Sequence, residues 1–375
     1  MKIGIDARLL ERKITGIGRF LIILLENFPI YDKENTYYLF TYDKVNFKPD
    51  FYKNIPTIRS IIPQKLFSPI WCNLILPFFL KKHQIDILFS VNQVVPLIKI
   101  KGCKYISVVH DVIYKADPSF LPFIYRKYLQ LFAFFSVRVS DLIITVSEYS
   151  KSDILKHYKI DESKVKVVLQ SANKIFRPRI IPEEERKTLK EKYKLSEKIV
   201  LYVGMIENRK NIQAILNIAD LFAKKRKDLI FVLIGKIGYG GDKTKEEINK
   251  RENVIHLTNI DDETLAKFYN IADVFLFPSL YEGFGYPPLE AMQSGLPVIA
   301  SDNTSLKEIV ADGGILCNPN DYSQIYNEIN KLLEDKHYRE EIKLSGVKRA
   351  ENFSLEKSVI QIVEIFNSLD NYKNN

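Results

Sequence analysis

The sequence predicts an α/β protein of two Rossmann-like domains facing a central cleft, on three observations. Short β-rich runs alternate with helical stretches along nearly the whole chain, the pattern of parallel sheets covered on both faces. A strand–loop–helix opening occurs twice, at residues 2–28 and again at 198–222. Between the two series, residues 176–198 turn polar and charged around Pro178 and Pro182, as a partly helical connection does. The reading therefore gives a domain over 1–175, a linker over 176–198, a domain over 199–354, and a C-terminal helix from 355 packing back across the linker. A length of 375 residues suits two domains.

In order, strands are expected at 2–6, 37–42, 85–90, 105–110 and 142–146. A Gly-containing loop at 15–18 leads into a helix over 19–28, and 147–158 has helical spacing. The second series places strands at 198–204, 229–235, 254–257, 274–278 and 297–300, with helices at 211–222, 265–269 and 288–294. Residues 355–369 repeat apolar side chains at helical intervals. Ligands of such sheets bind beyond the carboxyl ends of the strands, so the loops that follow strands are where chemistry is sought.

Composition narrows the classes. Apolar residues at 46% and charged residues at 27% exclude a disordered chain. Three scattered cysteines, Cys72, Cys103 and Cys317, cannot form a disulfide framework or a cysteine zinc site, which fits a reducing compartment. Asp6, Arg8, Glu11 and Arg12 interrupt any signal-peptide core, and Arg138 and Asp141 break the most apolar stretch, 129–146. A cytoplasmic protein is expected. Residues 1–180 carry 28 Lys+Arg against 15 Asp+Glu, and the remainder 27 against 31. That basic front half attracts anionic lipid, nucleic acid or phosphorylated substrates. Residues 64–83 add Phe67, Trp71, Phe78 and Phe79 with Lys65, Lys81 and Lys82, a composition suited either to peripheral membrane contact or to an interior helix pair broken at Pro77.

The most informative stretch is 277–301, FPSLYEGFGYPPLEAMQSGLPVIAS. A strand ends, and a loop carries Glu282, Gly283, Phe284 and Gly285. A helix then starts with proline and ends at Gly295. Its free N–H groups suit phosphate, and Glu282 and Glu290 can accept hydrogen bonds from the hydroxyls of one ligand. The plain alternative is a tight strand-to-helix turn with solvated glutamates, but that does not explain why all these features coincide. As a loop carboxylate, Glu282 is expected to matter little for folding.

Glu282 and Glu290 match the E-x7-E motif, and the chain resembles the retaining GT-B glycosyltransferases of family 4, the mannosyltransferase-like group 1 enzymes. The resemblance implies that Glu282 lies near the donor sugar and that Glu290 binds the nucleotide ribose. Family members carry Gly-Arg after the first strand of the second domain and a Lys several residues on. Lys210 matches that lysine, Met205 stands at the arginine position, and Arg209 is the expected substitute. Both cations precede a helix and would meet the diphosphate. His110, at the end of YISVVH, corresponds to a histidine that touches the donor sugar, although a lone histidine there serves packing equally well. Asp6-Ala-Arg8 with TGIGRF resembles the opening of the mannosyltransferase-like members, whose loop lies beside the donor diphosphate and the acceptor.

The implied catalytic group is thus Glu282, His110, Lys210 and Arg209. Donor contacts fall on Glu290, Gly283, Phe284, Gly285, Gly16, Gly18, Thr258 and Asn259. The acceptor side holds Arg8, Arg19, Asp111 and Ser147, the last equally a helix cap. No Asp-x-Asp occurs, so no metal and no cofactor are expected beyond a nucleotide-sugar substrate, with GDP-mannose the first donor and a lipid-linked or oligosaccharide acceptor. The rival readings are a sugar-nucleotide epimerase of the same architecture and a non-enzymatic nucleotide-sugar or nucleic-acid binder. No nucleic-acid reading motif accompanies the pI of about 9.1.

Overall fold

The computed structural model describes residues 1–11, 16–45, 47–57 and 64–370. The chain divides into two compact units. The first comprises Met1–Ser119, Phe123–Gln170 and Ser354–Asn375; the second comprises Phe120–Pro122 and Ser171–Phe353.

The first unit holds a seven-stranded sheet of β1 (Lys2–Asp6), β2 (Thr36–Thr41), β3 (Tyr52–Pro56), β4 (Ile87–Ser90), β5 (Lys104–Val108), β6 (Leu142–Thr145) and β7 (Val165–Val167). The spatial order is β3-β2-β1-β4-β5-β6-β7, with every pairing parallel. Strand residues alternate between two cores, as the pleat requires. Tyr37 and Leu39 join the cluster around Ile3, Phe20 and Phe28, whereas Tyr38 and Phe40 join the one around Trp71, Leu76 and Leu80.

The second unit holds β8 (Lys198–Val203), β9 (Leu229–Ile234), β10 (Val254–Leu257), β11 (Val274–Phe277), β12 (Val298–Ser301) and β13 (Ile315–Cys317). Their order is β10-β9-β8-β11-β12-β13, again all parallel. All six residues of β9, LIFVLI, are buried, as in a strand covered on both faces.

Three expectations change. Residues 171–198 are part of the second unit and include the helix Glu183–Tyr193, with Leu189 buried, where a linker was read. The C-terminal helix Leu355–Asp370 does not belong with that segment. Its Val359, Ile362, Val363, Phe366 and Leu369 complete the first unit's core, and Ser358 and Gln361 donate to the carbonyls of Leu169 and Val167. The first helix begins at Gly16, so Gly16 and Gly18 occupy its first turn and not a loop; Thr15 lies outside the described residues. Among the described residues, no helix is long and apolar enough to cross a membrane.

Candidate active site

In the second sheet β9 and β10 extend from one side of β8, and β11 to β13 from the other. The loops leaving the carboxyl ends of β8 and β11 therefore lie together at the switch point, the place where such sheets bind ligands. From β8 the chain runs through the turn Asn208–Lys210, then Asn211 at φ 53°, into the helix Ile212–Ala223. From β11 it runs to Gly285, whose φ of 123° strains any side-chain-bearing residue and where a Cβ would lie 2.9 Å from Leu306. The helix Tyr286–Gln293 follows at once, with Pro287 in its first turn. The Leu280 N–H donates to the Arg209 carbonyl at 2.9 Å, tying one loop to the other.

Glu282 sits at the centre. Its Oε1 accepts from Lys210 Nζ at 2.5 Å and from Ser279 Oγ at 2.6 Å, and its Oε2 from Arg209 Nη1 at 3.0 Å. Arg209 also donates to the Tyr281 carbonyl and, through Nε and Nη2, to Glu207. Both Glu282 and Lys210 are buried, the ammonium 5.0 Å from the Phe277 ring centroid. Burial alone would raise the Glu282 pKa, but the charges of Lys210 and Arg209 and the donated hydrogen bonds outweigh it and hold the carboxyl at about 2. Burial and the neighbouring Arg209 push Lys210 down, against the pull of Glu282. The outcome is an ionised carboxylate clamped by two cations. With Glu207 counted, the positive and negative charges balance, so an entering diphosphate would draw on cations already in place and fixed in direction.

The other second-unit candidates have surroundings of their own. Glu290 lies buried on the helix Tyr286–Gln293 and accepts from Tyr269 Oη at 2.9 Å, a partner outside the Glu282 network. The Phe284 ring is buried edge-on to Tyr286 and Phe353, where it packs the loop in place. Gly283 is buried in the same loop. Thr258 and Asn259 are exposed at the carboxyl end of the edge strand β10, two strands from β8.

In the first unit, Arg8 does not lie at the surface. It is buried, forms a two-pronged pair with Asp6 at 2.8 and 2.6 Å, donates to Tyr42 and Ser68, and stacks 4.0 Å from the Trp71 ring. Asn92, beyond β4, donates to the same Asp6. His110, beyond β5, lies edge-on to Phe20 and 3.4 Å from Gln170 through Nδ1, and among the described residues its buried Nε2 has no hydrogen-bond partner. Burial lowers its pKa to about 4, with the Val91 backbone pulling weakly the other way, so the ring is neutral at pH 7. Asp111 accepts from the Ile113 N–H. Ser147 caps the helix Glu148–Tyr158 by accepting from the Ser150 N–H, and the Ser150 hydroxyl donates to the His110 carbonyl. Arg19 is half-buried in the first turn of its helix.

Ser279, Glu207 and Tyr269 are part of these networks without any sequence signal of their own. Ser279 and Glu207 stand three and two residues before Glu282 and Arg209 in their own loops, and each fixes one of the groups that the approach of the loops brings together.

Residues 16–170 match the family described as Glycosyltransferase Family 4, and residues 183–349 match Glycosyl transferases group 1. The O-antigen chain mannosyltransferase B of Escherichia coli is 32% identical over 269 residues, 70% of each chain. The serotype-specific mannosyltransferase WbdA of Escherichia coli is 29% identical over 71% of this chain, which spans 34% of that protein's length. The crystal structure of Anabaena HepE in complex with UDP-glucose superposes with a TM-score of 0.74 at 17% identity, covering 98% of this chain and 100% of that one. Two parallel α/β units, a Glu282 loop at the switch point and these matches together show that the chain belongs to the group 1, family 4 glycosyltransferases of GT-B fold.

Proposed function

We propose that the protein transfers a hexose, with retention at the anomeric carbon, from a nucleotide-diphosphate sugar to a lipid-linked or oligosaccharide acceptor in polysaccharide synthesis. The observation that carries this reading is the clamp of Arg209, Lys210 and Ser279 on Glu282 at the switch point. Arg209 and Lys210 would neutralise the leaving diphosphate, and Glu282 would hold both cations and meet the donor sugar. Glu290 would take the ribose. His110, neutral at pH 7, would hydrogen-bond the sugar without acting as a base, the leaving phosphate oxygen taking the acceptor's proton on the same face. The mannosyltransferase names of the relatives support mannose as the transferred sugar, and GDP-mannose is the first donor to test. Incubation with GDP-mannose, UDP-glucose and dTDP-sugars alongside lipid-linked acceptors should release nucleoside diphosphate from one of them only when acceptor is present. Silence across the panel, or loss of none of that release in Lys210→Ala, would reject the assignment.

The acceptor side of this reading includes a bilayer. Ile70, Leu74 and Phe78 are exposed on successive turns of the helical run 64–83, Leu74 at 69%. The Leu97 N–H donates to Asn73, tying that run to the segment in which Ile98 is 72% exposed. Lys81, Lys82, Lys99 and Lys101 are exposed in the same segments. Rings and aliphatics bordered by lysines suit the headgroup layer of an anionic membrane. Vesicles rich in phosphatidylglycerol should sediment the protein, neutral phosphatidylcholine vesicles should not, and Leu74→Asp/Phe78→Asp should abolish the effect.

A further inference from the structure

The second unit carries another concavity, at the edge of its sheet remote from Glu282. Lys198 opens β8, Asp273 precedes β11 and Pro297 precedes β12, and all three line a cavity of about 500 Å³. Because every strand is parallel, this is the amino edge, whereas Arg209, Glu282 and Ser305 follow the carboxyl ends of the same three strands. The volume is that of a small-molecule site.

Its wall carries more positive than negative charge, although Arg179 is also paired with Glu263 at 2.5 Å. Arg179, Arg186, Lys198, Arg339 and Lys343 line it against two carboxylates, Asp273 and Glu340. Those carboxylates are engaged, Asp273 by Lys198 at 3.1 Å and Glu340 by Lys343 at 3.6 Å. Among the described residues, neither Arg186 nor Arg339 has a carboxylate partner. Arg186 Nη2 donates to the Ile271 carbonyl at 3.4 Å, and Arg339 Nη1 to those of Leu332 and Leu333 at 2.9 and 3.4 Å. Capping a helix end in this way is an ordinary use of a basic residue. It occupies one nitrogen of each guanidinium and leaves the rest of the five N–H donors to face an acceptor.

Among the described residues, two further polar atoms on this wall are buried without a hydrogen-bond partner, Arg179 Nε and Ser294 Oγ, and Ser294 is 3% exposed. Buried donors of this kind are normally satisfied, so they point to something that accepts. An oxyanion with several lone pairs meets all of these demands together, and a carboxylate-poor, arginine-rich wall favours phosphate over a neutral ligand.

We propose that this cavity is a binding site for a small phosphate-bearing anion, separate from the Glu282 site. Calorimetric titration of the full chain with inorganic pyrophosphate tests it. Lys210→Ala, which weakens any binding at the opposite edge, should still bind pyrophosphate, and adding Arg186→Gln/Arg339→Gln should weaken that binding at least tenfold. Those arginines also cap helix ends, so Lys343→Gln, whose charge meets only Glu340 among the described residues, is the second variant and should weaken binding several-fold. Hydrogen exchange should slow at residues 269–273 and 294–297 when pyrophosphate is added. Absence of binding in Lys210→Ala, equal binding with and without the cavity substitutions, or slowed exchange confined to residues 207–211 and 282–285 would each overturn the proposal. Titration with a hexose 6-phosphate beside inorganic phosphate names the source: tighter binding of the former assigns a phosphosugar, equal binding free phosphate, and either result supports the site.

Discussion

Glu282 accepts hydrogen bonds from Lys210, Arg209 and Ser279 while shielded from solvent, so its side chain serves folding as well as chemistry. Its position in a loop suggested a carboxylate dispensable to the fold, because a loop read from sequence carries no burial. The geometry reverses that expectation. In Glu282→Ala, Arg209 keeps Glu207, but Lys210 is left as a buried cation without its counter-charge. Removing one member of a buried pair costs about 3–5 kcal/mol, whereas replacing both members by apolar groups is often neutral. Glu282→Ala should therefore lower the calorimetric melting transition by several degrees as well as abolish transfer. Glu282→Ala/Lys210→Met should regain most of the stability and none of the activity. An unchanged melting temperature in the single variant would show that water reaches Lys210 and that the clamp is weak. Arg8 teaches the converse. Its pairing with Asp6 is local, but the Tyr42 and Trp71 side chains that bury the pair come from distant segments, so no local pattern distinguishes it from a surface arginine.

Among the elements, legibility followed burial. The inner strands announce themselves because both faces are apolar, as in β9, and their order of appearance predicts parallel sheets. The three strands with no clear sequence signal, β3, β7 and β13, all lie at sheet edges, and β3 and β7 carry Lys53, Asn54 and Lys166. An edge strand packs on fewer neighbours and tolerates polar residues, which erases the pattern. The site's loops were readable because each follows an inner strand; the partners Ser279 and Glu207 were not, since each bonds within its own loop and a serine or glutamate two or three residues from a charged group makes no pattern by itself. The charged run EEERKTLKEKY looked like a connection because a surface helix with one buried residue, Leu189, has almost no apolar stripe. The C-terminal helix has such a stripe, but nothing in its sequence says which unit it completes. Its place makes a prediction. Ile362 is fully buried in the first unit's core, and truncating a buried isoleucine costs about 2–5 kcal/mol. Trp71 is the only tryptophan and is buried in that unit, so its fluorescence reports that unit alone. Ile362→Ala should shift the urea midpoint seen by Trp71 to lower concentration; an unshifted midpoint would mean that the helix docks without supporting the first unit.

At the scale of the molecule, the two units should respond to acid in different windows, because their perturbed groups differ. In the first unit burial lowers His110 to about 4 from an ordinary 6.5, and burial with the charges of Lys82, Lys2 and Lys53 lowers His83 in the same direction. A histidine whose folded pKa is depressed takes up its proton more readily when unfolded. Its contribution to stability is full above pH 6.5 and is lost as pH falls from there through 4. In the second unit Glu282 is held at about 2 against an ordinary 4.5, so its contribution is full above 4.5 and is lost only as pH falls from there toward 2. The first unit should therefore weaken before the second. The urea midpoint of Trp71 fluorescence should fall between pH 6.5 and 4, while amide exchange over β8, β9 and β11 keeps its protection until pH drops below 4.5. His110→Asn, which has no imidazole to charge, should flatten most of the Trp71 slope in that window and leave the second unit's acid transition where it was. A slope that survives the substitution would place the acid sensitivity of the first unit elsewhere, and a midpoint that stays level from 6.5 to 4 in the unaltered chain would show that His110 is not held in its neutral form.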